Sequence, residues 1–147
     1  MVAYEDQETI PIDREAVWSL LKEHLDPTKI VQIHPEIVSQ RLVAGSGSEQ
    51  TVERGIRFFG KVRMSTWKIT YRPPDTAIWE IVQSAGPMCA GSRLVNTYRE
   101  VPGGTVIESR GEITVARFPG FLQRWVVRSA MEGIGKQDRA YLARNRR

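Results

Sequence analysis

Arg54 is the residue whose type and setting most clearly promise chemistry. It lies between Val52 and Ile56 in a run that alternates apolar and polar side chains. Alternation points it to the same side as those two apolar neighbours. A guanidinium on an apolar face must be paired or hydrated, and its planar fork suits a carboxylate or phosphate. Asp6 and Glu8 share the parity of Tyr4 and Ile10, so either could sit inward as an internal partner for Arg54. Either could also serve as an acid or base once desolvation moved its pKa toward neutrality. A β-bulge that shifts the parity, or an internal ion pair, is the plainer explanation of each. Asn96 and Ser109 complete the set of polar residues on inferred inward faces.

Other catalytic constellations are poor. His24 and His34 are the only histidines and Cys89 the only cysteine, too few to complete a metal set of these types, so neither a metal nor a cofactor is expected. His34, directly before Pro35, reads as a helix-end or cavity-rim residue. No strand–turn–helix context marks a nucleophilic serine, and the glycine-rich stretches match no nucleotide-binding pattern. No residue is therefore assigned a catalytic role.

The apolar residues that share the inward parity form a larger candidate set. Trp67, Ile69 and Tyr71 alternate with Lys68, Thr70 and Arg72; Phe58, Trp79, Ile81, Tyr98 and Ile113 follow from the same argument. Leu122 and Trp125 would face them from a helix. With Arg54 and Asn96 these residues are the expected ligand-binding set, since Trp and Tyr join apolar bodies to polar handles. For each one the plain alternative is simple core filling.

The elements that must carry these side chains are legible as a succession of periodicities. Residues 2–10 read as a strand stopped by Pro11. Asp13 then caps a helix with Val17, Leu20 and Leu21 at helical spacing. Asp26-Pro27 opens a second, short helix that His34-Pro35 closes. Strands are expected at 37–44, 50–59, 61–72, 76–84, 88–101 and 105–116, separated by glycine- or proline-containing turns and therefore antiparallel. A long helix should begin near Pro119, with a stripe of Leu122, Trp125, Val126 and Ile134 facing the sheet. One helix covers a large antiparallel sheet only if the sheet curls around it, which tends to leave a cavity between them.

The 147 residues are 41% hydrophobic and 26% charged, the balance of one globular domain. No apolar run approaches the length of a membrane span. A lone cysteine and the absence of a basic, apolar leader favour the cytoplasm. The net charge is +4, but eight basic residues against two acidic ones from Arg117 onward leave the rest of the chain slightly negative. The plain account is a solvated helix face with an arginine-rich tail. Weak contact with an anionic membrane is the functional one, and the absence of aromatics expected to lie exposed among the arginines argues against nucleic acid.

The segment Ile10-Pro11-Ile12-Asp13-Arg14-Glu15-Ala16-Val17-Trp18-Ser19-Leu20-Leu21 resembles the first strand and helix of the START/Bet v 1-like (SRPBCC) superfamily, with its "VW-x-L-L" signature. Ile37-Val38-Ser39, the glycine-rich turn after Ala44 and Gly103-Gly104-Thr105 sit where that family has similar segments, so the resemblance spans essentially residues 1–147 as one domain. Polyketide cyclase/dehydrase-like and coenzyme-Q-binding-like members look most similar. The resemblance implies an α+β helix-grip fold: a curved seven-stranded antiparallel sheet, β-α-α-β6-α, around a long C-terminal helix. It further implies binding or transport of a small hydrophobic or amphipathic ligand, with a cyclase- or dehydratase-like enzyme acting on an aromatic or polyketide-like substrate as the alternative.

Overall fold

The computed structural model describes residues 1–145. Arg146 and Arg147 of the basic tail lie outside the described residues. The chain runs β1 (Val2–Ile10), α1 (Arg14–Glu23), α2 (Pro27–Ile33), β2 (Ile37–Ser46), β3 (Glu49–Phe58), β4 (Lys61–Arg72), β5 (Thr76–Ser84), β6 (Arg93–Val101), β7 (Gly104–Ile113) and α3 (Gly120–Asn145). All seven strands form one antiparallel sheet in the order β1-β7-β6-β5-β4-β3-β2. β1 and β2 are thus its two edges, and the α1–α2 pair connects them. Register shifts in β2 and between Thr66 and Trp67 are of the kind that bends a strand and strengthens the curl of a sheet.

Local chemistry explains the helix starts. Asp13 Oδ1 accepts a hydrogen bond from the Ala16 amide, and Asp26 Oδ1 accepts one from Thr28 with Pro27 in the first turn. The β3–β4 hairpin turns at Phe59-Gly60, where both residues have positive φ, a conformation glycine adopts freely and phenylalanine does not. The expected strand over 88–101 begins only at Arg93. Residues before it meet the end of the β7 segment through the isolated Met88–Val115 bridge and the Cys89 N–H to Thr114 carbonyl bond.

The main core joins Trp18, Val17 and Leu21 of α1 to Val52, Ile69, Tyr71, Ala77 and Tyr98 of the sheet. A second cluster seats the start of α3, through Val127, on Val2, Tyr4, Ile113 and Val115. A third seats its end, through Tyr141, on Leu20 and Ile33. The phase expected for α3 is therefore corrected. Phe121, Leu122 and Trp125 are exposed, Trp125 by 66%, and the seated stripe runs instead through Val127, Met131, Ile134, Asp138 and Tyr141, with Val127 and Tyr141 buried, Met131 and Asp138 half-buried and Ile134 38% exposed. The large apolar residues suggested the wrong face because the seated stripe contains a carboxylate and a tyrosine, which periodicity in hydrophobicity discounts. Gly133 and Gly135 do not mark a close approach either: a Cβ at Gly133 would meet nothing within 4 Å, and one at Gly135 only the Arg139 side chain.

Candidate functional site: the concave face of the sheet

The strand register aligns the inward side chains in rows. One runs Gln40, Arg54, Ser65, Ser84; the next Val52, Trp67, Ile81; then Ile69, Trp79, Leu94; then Tyr71, Ala77, Asn96, Ser109, with the exposed Asp6 opposite Ser109 on the edge strand. Arg54 does lie inward and is 7% exposed. Its Nε donates to Gln40 Oε1 at 2.7 Å, and its guanidinium carbon lies 5.3 Å from the centre of the Trp67 ring, within cation–π range. The Trp67 indole N–H donates to Ser65 Oγ at 2.8 Å. Among the described residues no carboxylate lies within ion-pair distance of Arg54. Burial, with no counter-charge to offset it, pulls its pKa down to about 10, opposed only by Tyr71.

Asp6 and Glu8 are not its partners. Asp6 is exposed, and Glu8 accepts a bidentate contact from Arg139 of α3 at 2.8 and 2.9 Å. The internal partner is the neutral Gln40, which sequence reasoning passed over because a glutamine in an edge strand carries no charge signal. Gln40 is in turn held by donating to the His24 carbonyl at 3.0 Å.

The expected ligand-binding residues divide into three groups. Ile69, Tyr71, Ile81, Tyr98 and Ile113 are buried. The Tyr71 hydroxyl donates to the Leu21 carbonyl at 2.7 Å, and burial raises the pKa of both tyrosines. Phe58, Trp67, Trp79 and Asn96 are half-buried. Asn96 Nδ2 donates to the Tyr98 hydroxyl at 3.3 Å, while its Oδ1 is buried without a hydrogen-bond partner among the described residues. Leu122 and Trp125 are on the solvent side of α3. The pocket drawn from Trp67, Tyr71, Trp79, Tyr98 and Trp125 is thus not assembled as expected. Two surface clefts, of about 610 and 480 Å³, lie elsewhere, one beside Pro11 and Glu100 and the other beside Met64 and Val82.

Ile134 stands seven residues from both Val127 and Tyr141, hence on the same helix face. Those two are 2% and 7% exposed, whereas Ile134 is 38% exposed. The helix is seated at both ends, and the side chain between them on that face is the most exposed of the three.

His24 and His34 end α1 and α2, and both meet Asp138 of α3: each Nε2 lies 3.0 Å from Asp138 Oδ1. His34 is buried at this junction rather than placed on a cavity rim. Burial works against charge on both groups. The hydrogen bonds and charge of the two imidazoles nevertheless bring Asp138 down to about 2, and those of Asp138, with Gln137 and Glu36, raise His34. Among the described residues this is the set of His, Cys, Asp and Glu side chains with the spacing of metal ligands, all its ligating atoms lying within 4.8 Å of one another. The histidine and cysteine count overlooked it because the third member is a carboxylate more than 100 positions away.

Residues 1–145 match the family model described as polyketide cyclase / dehydrase and lipid transport. The chain belongs to that family. Its seven-stranded sheet and long C-terminal helix are the helix-grip fold of START/Bet v 1-like proteins. The di-domain ARO/CYC protein StfQ from the steffimycin biosynthetic pathway superposes with a TM-score of 0.77 at 12% identity, over 96% of this chain and 49% of its own. This family member thus spans about half the length of that protein. Ara h 8.0201 gives 0.77 at 19% identity, covering 98% of this chain and 99% of its own. A START superfamily protein from Mycobacterium smegmatis gives 0.76 at 13%, covering 97% of each. At such identities the likeness is one of fold. No curated protein matches this family member in sequence. No helix among its described residues is long and apolar enough to cross a membrane.

Proposed function

We propose that this protein binds or carries a small amphipathic molecule on the concave face of the sheet, with an acidic group of the ligand on Arg54. The observation that carries the reading is Arg54 itself: a buried cation beside Trp67 whose hydrogen-bond acceptor among the described residues is a carboxamide. Such a group gains most from an anionic partner. Half-buried Trp67, Trp79 and Leu94 offer apolar surface, worth about 25 cal/mol per Å² covered before ordering costs, and Asn96 Oδ1 offers an acceptor. A binding role fits better than an acid–base enzyme because Glu8 and His34 already have partners and Asp6 lies in solvent. The lone, partly exposed Cys89 suits a reducing cytoplasm, where we place this activity.

Native mass spectrometry of freshly purified protein, followed by titration with an environment-sensitive apolar dye, tests the reading. One small molecule or one dye per chain is expected, with a change in tryptophan emission and competition by fatty-acid-like anions. Absence of saturable dye binding together with an unliganded mass would overturn it.

A second reading rests on the exposed face of α3, where Phe121 and Trp125 interleave with exposed Arg124 and Arg128, and on the exposed Arg117 just before the helix. This arrangement, which the sequence reading did not foresee, supports contact with an anionic membrane. Trp125→Ala should change stability by less than about 0.5 kcal/mol yet reduce sedimentation with phosphatidylserine-containing vesicles. Unchanged sedimentation would remove this reading and leave the concave face untouched.

A further inference from the structure

The junction of α1, α2 and α3 points to a site of a different kind: we propose that His24, His34 and Asp138 bind a divalent transition-metal ion of the zinc class. The hydrogen-bond network around His34 fixes part of its own hydrogen positions. Gln137 Nε2 donates to Glu36 Oε2 at 2.9 Å, and a carboxylate only accepts. The Gln137 carboxamide is thereby oriented with Oε1 toward His34 Nδ1, 2.5 Å away. A carboxamide oxygen also only accepts, so a His34 proton sits on Nδ1. The ring's Nε2 then faces Asp138 Oδ1, 3.0 Å away. A proton on Nε2 can bridge that contact, and a metal cation can take the proton's place. His24 Nε2 approaches the same oxygen at the same 3.0 Å, and all three ligating groups lie within 4.8 Å of one another.

The donor set suits zinc. Ligand bonds of about 2.0–2.2 Å to imidazole nitrogen and carboxylate oxygen place adjacent donors about 3.0–3.6 Å apart. Two nitrogens and one oxygen leave a further position for water or a ligand group, and Asp138 retains partial access on its side of the cluster. The Gln137–Glu36 relay has the form of an outer shell, in which the second N–H of a ligating histidine is held by an acceptor that fixes its tautomer. The residues come from the ends of α1 and α2 and from the seated stripe of α3, so one ion would clasp all three helices. The cluster is also tied to the concave face, because the His24 carbonyl holds Gln40 and Gln40 holds Arg54.

The test needs no knowledge of the organic ligand. Full-length protein stripped with a chelator is titrated with Co²⁺, whose visible bands report low-coordinate nitrogen and oxygen ligation. We expect the bands to saturate at one equivalent, to disappear when Zn²⁺ is added, and to be accompanied by a rise in Tm. Asp138→Asn and His34→Gln should abolish the signal, and Gln137→Ala should weaken binding about 10- to 100-fold. If the ligand variants fail to fold, the wild-type stoichiometry and the Gln137→Ala shift still decide. Absence of a saturable Co²⁺ signal in the wild type would overturn the site and leave a proton-held carboxylate–imidazole cluster. Metal binding unchanged in Asp138→Asn would overturn it equally. Neither result touches the concave-face reading, which the dye titration addresses alone.

Discussion

Trp18→Ala is expected to reduce the free energy of unfolding by about 3–5 kcal/mol, the range for removing a large aromatic from a packed core. Trp18 projects from α1 into the main core, where its ring meets Tyr71 edge-on at 5.7 Å and Tyr98 at 5.6 Å between centroids. Its indole N–H donates to the Pro74 carbonyl. Truncation would remove both aromatic contacts, leave that carbonyl without its donor, and loosen the helix that ends at His24. Chemical denaturation followed by circular dichroism measures the loss. A change below about 1 kcal/mol would mean that α1 does not pack as described.

The second large effect concerns Arg54 and is one of selectivity rather than stability. Arg54→Met keeps the length and apolar stem of the side chain but removes a charge that burial already disfavours. Replacing a buried ion by an apolar group of similar size is often neutral or stabilising. Among the described residues the acceptor left without a donor is Gln40 Oε1, at a cost of about 1–3 kcal/mol, and relief of the desolvated charge acts against that cost. The variant should therefore unfold within about 1 kcal/mol of the wild type. Its affinity for acidic amphipaths should fall about 10- to 100-fold, the equivalent of losing one charged hydrogen bond, while neutral analogues bind nearly unchanged. Paired calorimetric titrations with a carboxylic acid and its methyl ester measure the difference. Equal losses for both ligands, or a fall in stability of more than about 3 kcal/mol, would make Arg54 a structural residue.

Much of this architecture was legible in the chain because its signals are local. The Asp13 and Asp26 caps, the closing prolines and the turn glycines each act within a few residues. Strand parity needs only neighbours in sequence to put Arg54, Trp67 and Tyr71 on one face. Those features determined the β-α-α-β6-α order and the inward direction of Arg54. What local signals could not determine was which partner each inward group finds. The phase of α3 depends on what it is seated against, and an amphipathic pattern mixed with Phe121, Trp125 and several arginines supports more than one orientation. Only the tertiary structure decided for the face that carries Asp138 and Tyr141, because there the carboxylate meets two imidazoles and the ring fills the gap over Leu20 and Ile33. The same holds for Gln40 under Arg54 and for the His24–His34–Asp138 cluster. These contacts join residues 14 to 114 positions apart, and their stability comes from burial and charge at the meeting point, quantities that exist only once the sheet has curled and the helices have closed on its end.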